Sequence, residues 1–248
     1  MLELNRLYNM DCMGGMQMFP DKYFDLAIID VPYGINAGDY ERGGKQHGQA
    51  RAASAPYTRK KWDKRPPEPA YFSELIRISK NQIIWGANHF ISLIPYNSPC
   101  WIVWDKDNGN NDYADCELAW TSFKTATRRF NFKWHGMLQG NMKDKEARIH
   151  PTQKPVALYS WILSKYAKAG DKIIDTHAGS ASSLVACHRG GFDFIGFEID
   201  ADYYAAANER LTGEMAQVQF DFIERGGLLI VYRFTRRGTG TRKKQKIS

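Results

Sequence analysis

Lys172-Ile173-Ile174-Asp175-Thr176-His177-Ala178-Gly179-Ser180-Ala181-Ser182-Ser183 is the stretch that sets the architecture. Four residues of strand character run into a turn of small residues, and residues 182–189 then have helical character. A second strand at 194–198 and a second helix at 201–211 repeat the order. Strands and helices in alternation build a parallel sheet with helices on its faces, because a parallel neighbour is reached only by a crossover. A turn of small side chains at the C-terminal edge of such a sheet lets a ligand approach the backbone. Glu198 closes the second strand about 20 residues on, the spacing at which an acidic side chain takes ribose hydroxyls. Gly179 is the only glycine in the turn, which is not the dinucleotide fingerprint, and a nucleoside without phosphates suits it better than a pyrophosphate. A plain glycine turn followed by a surface acid has the same appearance.

Upstream, residues 155–166 place Val156, Leu158, Tyr159, Ile162, Leu163 and Tyr166 at a helical period that stops near Gly170. Near the start, the apolar run Phe24-Asp25-Leu26-Ala27-Ile28-Ile29 leads into Asp30-Val31-Pro32-Tyr33. A carboxylate, a rigid proline and an aromatic therefore leave the C-terminal end of a strand together. Such a set can hold a planar base, with the ring on Tyr33 and Asp30 accepting from an exocyclic amine. A strand ending in a proline turn with an aromatic cover is the bland alternative. Residues 34–69 read as a long loop rich in Gly, Lys, Arg and Pro, 71–79 as a helix, and 82–85, 100–104 and 117–123 as strands.

The 248 residues, 43% hydrophobic and 25% charged, suit one globular domain. No run of about 18 apolar residues is present, and Met1-Leu2-Glu3-Leu4-Asn5-Arg6 lacks the basic and apolar regions of an export signal; a cytoplasmic protein is expected. Cys12, Cys100, Cys116 and Cys187 show no paired spacing, and His150, His177 and His188 none that a metal site requires, so free thiols and no metal are expected. The net charge of +7 gathers in three segments: 41–65, 124–148 and the stretch after Tyr232. Two of these interleave aromatics (Tyr57, Trp62, Phe130, Phe132 and Trp134), a composition that attracts phosphate backbone and unstacked bases. A solvated loop or tail would carry the same charges.

Asp30-Val31-Pro32-Tyr33 resembles the Asp-Pro-Pro-Tyr signature of DNA methyltransferases that modify exocyclic amino groups. The 175–182 turn is similar to their Asp-Pro-Phe-x-Gly-Ser-Gly-Thr loop for S-adenosylmethionine, and His150-Pro151-Thr152-Gln153-Lys154-Pro155 to the segment just before it. Asn9-Met10-Asp11-Cys12 resembles their Gly-Asp-Cys segment, and Ile83-Ile84-Trp85-Gly86-Ala87-Asn88 and Trp101-Ile102-Val103-Trp104-Asp105-Lys106 look like strands of their catalytic half. Catalytic motif first and cofactor loop last is the order of the permuted, or β, class, and the resemblance covers residues 4–211.

The resemblance implies a Rossmann-like α/β fold: a mostly parallel sheet with helices on both faces, in a single domain over residues 1–225. Residues 34–69 and 124–149 would be inserted DNA-contacting loops, and 226–248 a basic tail. It implies catalysis by Asp30, Val31, Pro32 and Tyr33, and S-adenosylmethionine held by Asp11, Cys12, Thr152, Gln153, Lys154, Asp175, Ala178, Gly179, Ser180, Ser182 and Glu198. Asp11 would meet the adenine of the cofactor and the hexapeptide its methionine end. Without the family, the hexapeptide is a helix start whose Lys154 can meet a carboxylate. DNA is the implied partner, in a restriction-modification setting, with Arg51, Arg59, Lys60, Lys61, Arg128, Arg129 and Lys133 as contacts; a homodimer stays open. Adenine N6 is the implied target, since members acting on cytosine more often have serine at the place of Asp30. Cytosine N4, a protein amide and a non-catalytic DNA-binding relative are the alternatives. This chain departs from the pattern at Val31 (proline in the family), His177 (phenylalanine) and Ala181 (glycine).

Overall fold

The computed structural model describes residues 1–37, 60, 62–109, 114–135, 138–143 and 145–216, with the backbone alone of 219–225, 228–236 and 242–247. Its elements are β1 (Arg6–Asn9), α1 (Cys12–Met16), β2 (Phe24–Ile29), α2 (Pro69–Ile78), β3 (Ser79–Trp85), β4 (Trp101–Asp105), β5 (Cys116–Thr121), β6 (Arg128–Asn131), β7 (Trp134–His135) and β8 (Leu138–Gln139). There follow α3 (Val156–Tyr166), β9 (Lys172–Asp175), α4 (Ser182–Gly190), β10 (Asp193–Glu198), α5 (Ala201–Ala216), β11 (Gln219–Arg225), β12 (Leu228–Arg236) and β13 (Arg242–Ile247).

Eight strands form the main sheet in the order β1-β10-β9-β2-β3-β5-β4-β6. Every neighbouring pair is parallel except those that β5 makes with β3 and β4. The mostly parallel sheet expected from the alternation is present, and β5 is its one reversed strand. β2 lies beside β9 at the centre, with Leu26 opposite Ile173 and Ala27 opposite Ile174. From there the chain leaves β2 through α2 to β3 on one side and leaves β9 through α4 to β10 on the other. Strand order therefore reverses between β2 and β9, and at such a point the two diverging connections open a crevice at the C-terminal edge.

Both faces of the sheet are covered. Leu26 and Ile28 of β2 pack with Ile173, Ile83 and Trp85 under α3, α4 and α5, through Leu158, Ile162, Leu184 and Leu211. The alternate residues Ala27 and Ile29, together with Phe24 at the strand start, pack with Ile174, Ile84 and Phe197 under α1 and α2, through Met16, Phe72, Leu75 and Ile78. A strand buried on both sides has no polar face to alternate, which explains the unbroken apolar run before Asp30. Each buried Leu, Ile, Phe or Met side chain there contributes about 1.5–3 kcal/mol.

Several boundaries differ from the sequence reading. α3 ends at Tyr166 with Ala167 as its cap rather than at Gly170. The 124–149 segment, read as an inserted loop, carries β6 on the sheet edge and the small β7–β8 hairpin. Its aromatics are not displayed for stacking: Trp134 is buried, and Phe130 and Phe132 pack against the core beside Trp161. The proposed boundary at 225 falls between β11 and β12, which pair antiparallel and continue to β13, where a tail was expected.

Candidate active site

Because β2 and β9 are parallel neighbours, the residues that follow them emerge at the same edge. They face one cavity of about 480 Å³. Asp30, Val31, Pro32 and Tyr33 line it on the β2 side, and His177, Ala178, Gly179, Ser180 and Ser182 on the β9 side, with Glu198 from the end of β10. Thr152, Gln153 and Lys154 also line it.

On the β2 side, a row of charges runs inward. The Lys154 ammonium lies 2.6 Å from Asp30 Oδ2 and 3.0 Å from Glu117 Oε2, and Lys106 lies 2.5 Å from Glu117 Oε1. Tyr33 donates its hydroxyl to Asp30 Oδ1 at 2.7 Å and accepts from Lys154 at 3.0 Å. Its ring stacks with His89 at 5.2 Å and lies directly over Gly86. Burial pushes the Asp30 carboxyl above its ordinary range, opposed by Lys154. Glu117, also desolvated but flanked by Lys154 and Lys106, is brought down to about 2. Paired charges are what make such burial tolerable.

On the β9 side, the turn is shaped by side chains that hold its backbone. Glu198 Oε2 accepts from Gly179 N at 2.9 Å and Oε1 from Asp200 N at 2.8 Å. Asp175 does not reach the cavity: it is buried, accepts from His177 N at 3.0 Å and from the Ser183 hydroxyl, and is pushed up to about 7 by desolvation. Arg210 of α5 donates to Ser180 O at 2.9 Å and Ser182 Oγ at 3.0 Å, and is itself held by Glu146 at 2.8 Å. His177 meets Tyr71 edge-on, and desolvation lowers its imidazole to about 4. His150, beside Tyr203, is lowered to about 4 for the same reason.

Other expected contacts are placed differently. Asp11 caps α1 by accepting from Met13 N at 2.7 Å, and neither it nor Cys12 lines the cavity. Gln153 turns its side-chain amide to Ile149 N and Ala147 O, holding its own loop. Lys60, expected on phosphate, is bound to Asp200 at 2.5 Å and Asp202 at 2.7 Å, over the Tyr203 ring. Arg128 and Arg129 are exposed on the edge strand β6, with Arg129 3.8 Å from Asp105 and Lys133 3.3 Å from Asp107. Arg51, Arg59 and Lys61 lie outside the described residues. Sequence reasoning missed Glu117, Lys106, Trp62, Asp200 and Tyr203, all of which line the cavity. A charge inside the apolar strand Cys116–Thr121 was the available signal for Glu117. Among the described residues no three His, Cys, Asp or Glu side chains gather to hold a metal ion, and no helix is long and apolar enough to cross a membrane.

A family model for N6/N4 methyltransferases, described as DNA methylase, matches residues 80–209, more than half of the chain. The chain is 28% identical over 153 residues to the type II methyltransferase M2.DpnII of Streptococcus pneumoniae, covering 62% of this chain and 50% of that protein. It is 35% identical over 71 residues to M.HpaI of Haemophilus parainfluenzae, covering 29% and 23%. It thus spans half or less of the length of these relatives. Solved structures share the fold: TTHA0409 of Thermus thermophilus (TM-score 0.52, 15% identity, 85% of this chain and 95% of that one) and PvuII DNA methyltransferase, cytosine-N4-specific (TM-score 0.52, 11% identity, 84% and 90%). M1.HpyAVI, solved with SAM, superposes with a TM-score of 0.50 at 19% identity over 83% and 98%. With its two motif-bearing turns on one crevice and more than half its length matched, the chain belongs to the N6/N4 DNA methylase family.

Proposed function

We propose that this chain transfers a methyl group from S-adenosylmethionine to the N6 amine of an adenine turned out of duplex DNA. The reading rests on one observation above all: Asp30 and the Gly179 turn line the same cavity. The order of the two motifs along the chain supports placement in the permuted class. The residues fit the cofactor: each Glu198 oxygen that accepts a backbone N–H keeps a lone pair for a ribose hydroxyl, and the small side chains of Ala178 and Gly179 leave room beside it. When bound, the cofactor would supply a sulfonium methyl group; the amine nitrogen would take it as the carbon–sulfur electron pair returns to sulfur, and one N–H proton would pass to solvent.

The protein's own part is binding and aim. Asp30 accepts a hydrogen of the amine with a lone pair not used by Lys154 or Tyr33, and the Val31 carbonyl accepts the other. This draws the nitrogen towards a tetrahedral form with its lone pair directed at the methyl. Tyr33 gives an aromatic wall. Charge-assisted hydrogen bonds and fixed geometry together can supply about 7 kcal/mol or more. Turning the base out costs a few kcal/mol, which cationic segments such as Arg128 and Arg129 offset through phosphate contacts. A cytoplasmic location is the expectation that accompanies this reading.

The decisive experiment is incubation with labelled cofactor and DNA of varied sequence, followed by digestion to nucleosides and weighing. N6-methyladenine is expected; N4-methylcytosine would move the target and leave the transfer reading intact. Asp30→Ala is expected to abolish transfer while calorimetric binding of the cofactor survives. Full activity in that variant would refute the role of Asp30.

A further inference from the structure

Among the described residues Lys154 is the one buried Lys or Arg, 4% exposed. Its ammonium has three donors, and three acceptors surround it: Asp30 at 2.6 Å, Glu117 at 3.0 Å and the Tyr33 hydroxyl at 3.0 Å. The ammonium is therefore held by this protein's own side chains, in ion pairs with two acids and a hydrogen bond to the Tyr33 hydroxyl. The segment around it is fixed as well, since Gln153 is anchored to Ile149, to Ala147 and, through its carbonyl, to the Trp134 indole. Glu117 in turn is held by Lys106, which keeps the lysine shared between two acids instead of collapsing onto one.

We propose that Lys154 is a positioning residue for Asp30: it holds that carboxylate ionised and aimed at the target amine, and Glu117 is the counter-anion that sets how strongly it does so. The assignment rests on the methyltransferase reading above and moves Lys154 from the cofactor to the catalytic side of the cavity. A buried carboxyl without a cation takes up a proton and then donates where it should accept. The groups that face Asp30 are Lys154 ahead of α3, Tyr159 on α3, Glu117 on β5, Asp175 on β9 and Tyr33 on its own turn. Lys154 is the only cation among them. Removing it must raise the pH at which Asp30 ionises, and removing Glu117 must lower it.

The test is single-turnover transfer to DNA at saturating cofactor, followed from about pH 5 to pH 9, beside calorimetric cofactor binding, for Lys154→Met and Glu117→Gln. Lys154→Met is expected to bind cofactor within about threefold of the parent and to transfer about 100-fold more slowly at neutral pH, with its acid limb displaced to higher pH. The acid limb of Glu117→Gln moves the opposite way. A packing defect would slow both variants without moving the limbs apart. Should Lys154→Met fail to fold, the direction of the Glu117→Gln limb decides. The proposal is overturned if the loss in Lys154→Met lies wholly in cofactor affinity, or if the Glu117→Gln limb stays in place or moves up. Absence of transfer by the unaltered protein on every DNA would instead remove the methyltransferase reading, and this inference with it.

Discussion

Ala181 sits at the entrance to α4 with φ 59° and ψ 23°, a left-handed conformation that costs a residue with a Cβ about 1–2 kcal/mol. Its methyl is fully buried, worth about 0.8 kcal/mol, and glycine would lose more freedom on folding, about 0.5–1 kcal/mol. Ala181→Gly should therefore leave the urea-unfolding free energy within about 1 kcal/mol of the parent by these terms. A much larger loss would mean that the methyl, not the backbone, governs the turn. At His177 the sign depends on pH. Its folded value, about 4, lies below the ordinary 6.5, so the neutral ring contributes stability above pH 6.5 that is lost as pH falls towards 4. His177→Phe should remove about 2 kcal/mol of the loss between neutral pH and about pH 5, measured by denaturant titration at both. Asp175 acts in the opposite direction: raised to about 7, it costs stability as pH rises from about 4 through 7, and Asp175→Asn should steepen the acid loss.

Two connecting elements carry consequences beyond their own residues. The turn after β3 begins at Gly86, with φ 69°, and a Cβ built there would fall 2.0 Å from Tyr33 Cε1. Gly86→Ala is therefore both strained and in collision with the ring whose hydroxyl meets Asp30. A stability loss of about 2 kcal/mol or more is expected, along with slower transfer at unchanged cofactor affinity, read by single-turnover kinetics and calorimetry. On the other side, α5 reaches the cofactor turn through Arg210, and Glu146 links that arginine to the start of α3 by accepting from Val156 N. Arg210→Met leaves the Ser180 carbonyl and the half-buried Glu146 carboxylate without their cation. Cofactor affinity is expected to fall about tenfold while transfer from the bound complex changes little.

For the molecule as a whole, a net charge of +7 predicts DNA binding that weakens steeply with salt, with a slope of log K against log salt of about −0.9 per phosphate contacted. A flat dependence in fluorescence anisotropy would argue against phosphate contact as the main source of affinity. The elements of the central sheet were readable because their signals are local: apolar runs of strand length, a 3.6-residue period in α3, and a small-residue turn joined directly to a strand. For the same reason Asp30–Tyr33 and the Gly179 turn could be named from short motifs. The antiparallel β5, the edge place of β6 and the hairpins after residue 218 were not readable, because strand direction and pairing are settled by distant partners. The same holds for Lys154, whose motif is local but whose partner Tyr33 lies 121 positions away. Residue types and their spacing determined which groups were present for chemistry and on which elements they stood. Only the packed sheet decided that Lys154 meets Asp30 and Glu117, and that Asp175 accepts from His177 N and the Ser183 hydroxyl. Local backbone preference acts over a few residues, whereas a buried charge is settled by whichever opposite charge the fold brings within about 3 Å.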